Sequence, residues 1–102
     1  MKPYRNEKLL KLAKEAPHCM ATGCFEHNYG QVVACHSNSI QDGKGMGTKA
    51  HDVVAFGCKS CHDFWDGRDN SDATPEQRRL DYYHAVYNTW VWLMQTGHLQ
   101  VK

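Results

Sequence analysis

Four cysteines, arranged in two couples, are the residues whose spacing points most directly to chemistry. Cys19 and Cys24 form a Cys-x4-Cys couple, and Cys58 and Cys61 form a Cys-x2-Cys couple. Zinc in structural sites prefers four thiolate or imidazole ligands in a closed tetrahedron, which two such couples can supply. We therefore expect these four cysteines to hold a structural zinc ion. Three other residues remain as alternative ligands, namely His18, His27 and Cys35.

Two histidines stand next to these cysteines in the sequence. His62 follows Cys61 directly, and His36 follows Cys35 at the end of a short apolar run. Successive side chains on a helix diverge by about 100°, so His62 is expected to point away from the zinc and toward the strand that ends at His36. Such a pair can hold a divalent metal and activate a water molecule. The alternative is that both are surface histidines near a structural zinc.

The length and composition indicate one small domain of a reducing compartment. A chain of 102 residues forms a core that is small for its surface, and domains of this size commonly gain stability from a structural metal. Residues 1–15 are charged and lack the apolar region of a secretory signal, and no stretch approaches the ~20 apolar residues of a membrane span. We therefore expect a cytoplasmic protein without a membrane partner, whose cysteines bind metal rather than form disulfides.

The net charge of +1 says little, but the charges are unevenly distributed along the chain. Residues 1–15 carry five basic side chains against two acidic ones, whereas residues 63–72 carry four aspartates against Arg68. A basic arm and an acidic patch are consistent with nucleic acid at one face and a cation at the other, or with two solvated faces. On the first interpretation, Lys8 and Lys11 are candidate DNA contacts.

The pattern of apolar residues, glycines and prolines predicts three helices around two extended segments. We expect a basic helix over 3–15, a strand over 32–35, an extended segment over 52–57, and a helix from 59 to about 65 that ends at Gly67. Segment 52–57 can be the partner strand or a helical turn. The chain then divides into a basic helix (1–17), a zinc-binding core (18–68) and a C-terminal helix (74–97) within a single domain (1–102).

The last helix carries the clearest signals. Thr74 is an N-cap with Pro75 at the first helical position, Gln77 completes a capping box, and Gly97 is a candidate C-cap. A stripe at helical spacing is expected to face the core, and His84 within it is expected to be packed and hydrogen-bonded. Trp90 and Trp92 lie on different faces, so part of this helix can serve as a surface for a dimer or a partner. The stripe consists of Leu80, Tyr83, Tyr87, Trp90, Val91 and Met94.

Taken in order, these pieces resemble the HNH endonucleases (His-Me finger, ββα-metal fold), and more narrowly a family of small phage and prophage nuclease-domain proteins. The likeness runs from about Cys19 to Arg68. Its matching pieces are Ala-Cys-His at 34–36, Gly-Met-Gly-Thr-Lys at 45–49, Asp52, Cys-Lys-Ser-Cys-His-Asp at 58–63 and Asp-Gly-Arg at 66–68.

The resemblance implies an α+β fold: a small zinc-stabilised, treble-clef-like ββα-metal domain with a basic N-terminal helix and a long C-terminal helix. It also implies a DNA endonuclease that hydrolyses phosphodiester bonds with a divalent cation, Mg²⁺ or Mn²⁺, in the bacterial host of a phage. By the same resemblance, His36 would be the general base and His62 a ligand of the catalytic cation. A homodimer or a phage protein partner is a further expectation.

One position departs from the family pattern. Cys35 stands where such enzymes usually carry an Asp or His ligand, and thiolate is a poor ligand for magnesium. Either Asp63 or Asp66 completes the site, or the metal is a softer one, or the site is impaired. Arg68 and Lys49 are the available cations for a scissile phosphate, and Arg68 can instead pair with Asp66 or Asp69.

Two other classes of function fit the same cysteines. One is a non-catalytic zinc finger that binds nucleic acid or a partner protein. The other is a small metal-storage or redox module, to which the spare Cys35 lends weak support.

Overall fold

A computed structural model of the chain describes residues 4–24, 31–37 and 51–100. Over these residues the fold is α+β, as predicted, with a two-stranded antiparallel sheet and three α-helices. A 3-10 turn over Leu12–Glu15 continues the first helix. The elements are α1 (Glu7–Lys11), β1 (Val33–Cys35), β2 (Ala55–Gly57), α2 (Lys59–Trp65) and α3 (Pro75–Gln95).

The N-terminal helix begins at Glu7 rather than at the predicted residue 3. Asn6 is its N-cap, and the Asn6 side chain accepts a 3.0 Å hydrogen bond from the Leu9 amide. The backbone of Tyr4, which precedes the helix, is hydrogen-bonded instead to the segment that leads to β2. Its amide donates to Nδ1 of His51, and its carbonyl accepts from the amide of Asp52, both at 2.8 Å. Asn6 itself adopts a φ of −154° and a ψ of 88°, outside the helical region, so the helix begins only after it.

The two short strands divide the core into two clusters. They pair antiparallel with Cys35 opposite Ala55, so the end of segment 52–57, residues 55–57, is the partner strand, and the segment is not a helical turn. Because side chains alternate along a strand, β2 contributes a side chain to each of the two clusters. Phe56 packs with the N-terminal helix and with Leu93, whereas Ala55 packs with Cys35, Trp65 and Tyr82. Gly57 leaves room for the indole of Trp65, since a Cβ there would lie 2.6 Å from two of its ring carbons.

The two later helices begin where predicted, and α3 ends at Gln95, two residues before the predicted end at 97. Helix α2 covers the expected residues, and Gly67 follows it with a φ of +76°. Helix α3 starts with the predicted capping box between Thr74 and Gln77, and Gly97 follows its C-cap with a φ of +78°. None of the helices in the described ranges has the length and the apolar composition needed to cross a bilayer.

The prediction for the buried face of α3 is wrong. The helix buries Tyr82, Ala85, Thr89 and Leu93. Ala85 and Thr89 are fully buried, and the Thr89 hydroxyl accepts a 3.0 Å hydrogen bond from the amide of Phe56. Small side chains let β2 approach the helix this closely, which the larger predicted stripe would prevent. Five of the six predicted core residues are exposed, Val91 is half-buried, and His84 is exposed rather than packed. The exposed five are Leu80, Tyr83, Tyr87, Trp90 and Met94.

Candidate metal centre and histidine cleft

The four cysteines of the two couples come together, as predicted. The Sγ atoms of Cys19, Cys24, Cys58 and Cys61 all lie within 4.8 Å of one another, and those of Cys24 and Cys58 are 3.9 Å apart. A tetrahedral zinc ion with Zn–S bonds of about 2.3 Å requires sulfur atoms about 3.8 Å apart. The donor set and its spacing are therefore consistent with a structural zinc site. In the described part of the chain, no other group of three or more His, Cys, Asp or Glu side chains converges in this way.

A tight turn and a helix start bring these thiols together. Gly23 adopts a φ of +83°, and the Cys24 amide donates to the carbonyl of Ala21 (3.0 Å), which closes the turn between the first two cysteines. Cys58 is the N-cap residue of α2, and its amide donates to Sγ of Cys19 (3.3 Å). The neighbouring Met20 amide donates to the carbonyl of Phe56 (2.9 Å). The first cysteine loop is thereby fixed to the junction of β2 and α2.

The thiols of Cys19 and Cys61 oppose each other's ionisation when no cation lies between them. A hydrogen bond from Cys61 lowers the pKa of Cys19 to about 5, although burial of that thiol opposes the shift. The same hydrogen bond, together with burial and the nearby sulfur charge, raises the pKa of Cys61 well above its usual range. Adjacent thiolates repel each other, so one takes the charge and another keeps its proton. A bound divalent cation would remove this conflict and let all four thiolates form.

Two of the three alternative ligands, Cys35 and His18, are not part of this cluster. Cys35 is 1% exposed and belongs to the core, where its Sγ lies 3.5 Å from the carbonyl of Val33. Burial raises the pKa of this thiol to about 12. His18 is exposed, and its Nδ1 lies 2.7 Å from the carbonyl of Cys19. His27 lies outside the described residues.

His36 pairs with a buried carboxylate. Its Nε2 lies 2.8 Å from Oδ1 of Asp52, whose side chain is only 3% exposed. Asp52 also accepts hydrogen bonds from the Asn6 amide (2.7 Å) and from Nη1 of Arg5 (3.1 Å). Burial alone would raise the pKa of Asp52, but these three partners together outweigh it and hold the pKa below its ordinary value. The carboxylate is therefore ionised and fixes the imidazole ring.

A cleft of about 370 Å³ opens beside this pair, between the end of β1, the end of α2 and the start of α3. His36, Trp65, Asp66 and Arg79 are among its lining residues. Helix α3 holds the other two walls in place through hydrogen bonds. Tyr82 Oη donates to the carbonyl of Cys35 in β1 (2.9 Å), and Asp81 accepts from the indole of Trp65 in α2 (2.7 Å).

Two arginines line the cleft, and they differ in their bonding. Arg78 is structural: its guanidinium stacks on Phe64, donates to the Phe64 carbonyl (2.6 Å) and forms an ion pair with Asp69. Arg79 has no carboxylate within ion-pair distance among the described residues. Arg79 is therefore a cation in the cleft that sequence reasoning missed.

Four more of the predicted residues form an ion-pair group on α2 and at its C-terminal end, namely His62, Asp63, Asp66 and Arg68. Nε2 of His62 lies 3.1 Å from Oδ2 of Asp66, to which Arg68 also donates at 2.8 Å. Asp63 pairs with Lys59 (3.0 Å) and lies 3.5 Å from Arg68. Asp66 lines the cleft with His36, whereas His62 is not among the described lining residues and contacts Asp66.

Arg68 forms an ion pair in this structure, and its role at the phosphate stays a prediction, as do the other predicted DNA contacts. Arg68 forms the predicted alternative ion pair with Asp66, while Asp69 pairs with Arg78 instead. Lys8 and Lys11 are exposed on α1, and Lys49 lies outside the described residues.

Comparisons with protein-family models, with curated proteins and with solved structures found no match to this chain. The geometry of the cluster and of the cleft is therefore the basis for assigning a function.

We expect the four-cysteine cluster to hold one zinc ion per chain and to be essential for folding. Structural zinc contributes roughly 10 kcal/mol or more of apparent binding free energy. Cys58→Ser should therefore lose zinc and unfold at ambient temperature, as measured by metal analysis and circular dichroism. Cys35→Ala is the matched control, because this buried thiol lies outside the cluster and the variant should keep its zinc. Zinc retained by Cys58→Ser with unchanged stability, or lost by Cys35→Ala, would contradict the assignment.

We expect Asp52 to stabilise the fold at neutral pH and to lose this effect in acid. A carboxyl group whose folded pKa lies below its unfolded value of about 3.9 stabilises above that pH, and the stabilisation is lost as pH falls through the folded pKa. Asp52→Asn should lower the free energy of unfolding by about 2 kcal/mol at pH 7. The variant replaces the charged acceptor of three hydrogen bonds with a neutral amide. Denaturant unfolding in zinc-saturated buffer measures the difference in unfolding free energy between the wild type and the variant.

The control for this measurement is Asp72→Asn at an exposed position, which should change stability by less than about 0.5 kcal/mol. An Asp52→Asn variant whose unfolding free energy at pH 7 lies within about 0.5 kcal/mol of the wild type would show that Asp52 does not stabilise the fold as a carboxylate.

Proposed function

We propose that this chain is a metal-dependent DNA endonuclease of the HNH (ββα-metal) type, with His36 as general base. The observation that carries the proposal is the 2.8 Å contact between His36 and the buried Asp52 at the edge of a cleft. The order of elements supports it, since two antiparallel strands precede a helix and His36 directly follows β1. The cysteine cluster at the start of α2 would then be the structural zinc site of such a domain.

The pair of His36 and Asp52 suits the activation of a water molecule. Because Nε2 of His36 faces the carboxylate, Nδ1 is the ring nitrogen that would take the proton from the attacking water. The ionised carboxylate orients the ring and stabilises the imidazolium that forms. Histidine is suited to this work at neutral pH because its ordinary pKa is about 6.5.

A divalent cation would be held by His62 and Asp66. Their nearest nitrogen and oxygen are 3.1 Å apart, one turn apart on the helix, so both can contact the same ion. Mg²⁺ typically takes one or two carboxylates and completes its shell with water and substrate phosphate oxygens, so two protein ligands are enough. When bound, the cation offsets the negative charge that develops on the phosphate in the transition state. Arg68 would share the Asp66 carboxylate with it.

Arg79 is the residue that we propose to contact the phosphate. Guanidinium groups bind phosphate through paired hydrogen bonds, and this arginine lines the cleft together with His36. Arg78 is unsuited to the role because the backbone of Phe64 and the carboxylate of Asp69 already occupy it. The exposed Lys8 and Lys11 would add affinity for the DNA backbone that does not depend on sequence.

A second candidate function is a non-catalytic zinc module that binds a partner macromolecule. The exposed tyrosine- and tryptophan-containing face of α3 favours this alternative, because large exposed aromatic side chains are typical of interfaces. The cysteine cluster would stabilise the fold equally in either case. Catalysis therefore has to be tested on the cleft.

We expect zinc-loaded protein to nick plasmid DNA with Mg²⁺ or Mn²⁺, and His36→Ala to slow the reaction roughly 10²- to 10⁴-fold, the usual contribution of general base catalysis. Gel assays of supercoiled plasmid measure the rate. The matched control is His84→Ala, which removes an exposed histidine of α3 and should cleave at the wild-type rate.

Two results would count against this proposal. If His36→Ala retains zinc and cleaves as fast as the wild type, His36 is not the base. If no divalent cation supports cleavage of duplex, single-stranded or branched DNA, the binding module is the better interpretation.

We expect Arg79→Ala to lower kcat/KM roughly 10- to 100-fold, since a hydrogen bond to a charged group contributes about 1.5–3 kcal/mol. Arg68→Ala is the control, because that guanidinium pairs with aspartates and should have a smaller effect. Plasmid cleavage measured over a range of DNA concentrations provides kcat and KM. An Arg79→Ala enzyme with wild-type kcat/KM would remove Arg79 from the site.

A further inference from the structure

Helix α3 presents a second apolar face, opposite the one that it buries. Leu80 and Tyr87 are 57% and 69% exposed, and Tyr83, Trp90 and Met94 are between 37% and 47% exposed. At 100° per residue these five side chains fall within about 80° of arc on the helix, on the side away from the buried Ala85 and Thr89. We call these five residues the α3 seam.

The spacing of the seam is that of a surface that pairs with another helix. Its members recur at intervals of three, four, three and four residues, which is the heptad repeat of helices that cross at a shallow angle. A buried aromatic side chain removes about 150–250 Å² from water, so at these exposures the seam offers on the order of 500 Å² of apolar surface. A patch of this size is near the upper end of what monomers expose.

The residue classes along the seam are symmetric about its centre. Leu80 and Met94 lie seven residues before and after Tyr87, and an aromatic residue stands on each side between the centre and these ends. A two-fold axis through an antiparallel helix pair would place Leu80 of one copy opposite Met94 of the other and Tyr87 near the axis. A self-complementary surface of this kind is what an isologous dimer requires.

The charges also favour a second copy over nucleic acid. The five seam residues are uncharged, and the flanking positions include Gln77, His84 and Gln95 on one side and Arg79 on the other. Glu76 lies at the same end as Arg79, so antiparallel pairing brings no cluster of like charges together. DNA, by contrast, would need a basic face. Two seams would bury about 1,000 Å² of apolar surface, which with polar flanks reaches the size of a standard interface.

We propose that this protein dimerises through the α3 seam, by antiparallel packing of the same helix from two copies. Because the cleft lies at the N-terminal end of α3, the two clefts would stand at opposite ends of the helix pair. The proposal does not depend on whether the cleft cleaves DNA.

Sedimentation equilibrium of zinc-loaded protein at concentrations up to ~1 mM tests the proposal. The wild type should show twice the chain mass of 11.7 kDa. Tyr87→Glu should weaken the dimer at least ~30-fold, the effect expected at a central interface residue. Val33→Glu is the matched control, because Val33 is as exposed as Met94 (both 47%) but lies on β1, and this variant should dimerise normally.

A wild type that remains monomeric, or a Tyr87→Glu variant that dimerises like the wild type, would overturn the proposal. A photo-crosslinking measurement keeps it testable if Tyr87→Glu fails to retain zinc. With p-benzoylphenylalanine in place of Tyr87, the crosslink found by mass spectrometry should join the α3 helices of two chains. A crosslink to any other element would contradict the seam.

Discussion

The convergence of four thiols is the constraint on which the rest of this structure depends. Each strand of the sheet has three residues, and an isolated two-stranded sheet is marginally stable at best. The cysteine cluster joins the loop over 19–24 to the junction of β2 and α2, segments that are distant in sequence. A cation that lets these thiolates form together would add free energy that the small core does not supply. We therefore expect the cluster to be needed for folding and, on the proposed function, to take no part in the reaction.

The position of the cleft follows from this anchor and from a second one at Asp52. The cluster fixes the start of α2 and with it the turn of helix that carries His62 and Asp66. Asp52 joins the N-terminal segment to His36, which follows β1. Helix α3 closes the third side through Tyr82 and Asp81. The polar side chains of the cleft therefore lie on elements joined by the cysteine cluster, by an ion pair and by hydrogen bonds from α3.

The sequence predicts the parts of this fold that depend on local signals. The two cysteine couples, the capping box at Thr74 and the glycine after α3 each have a physical cause within a few residues. The buried face of α3 is different, because an apolar stripe at helical spacing does not say which partner covers it. The small Ala85 and Thr89 face the core since β2 approaches closely there. The contact of His36 with Asp52 and the place of Arg79 in the cleft depend on strand register and helix packing, which no local pattern specifies.

The most direct test of the account is a crystal structure of protein that has been soaked in Mn²⁺, with anomalous scattering recorded at the zinc and manganese edges. We expect a zinc peak at the centre of the four thiolates and a separate manganese peak between His62 and Asp66, at the wall of the cleft that also contains His36. An absence of zinc at the thiolates, or manganese bound only at sites away from the cleft, would contradict it.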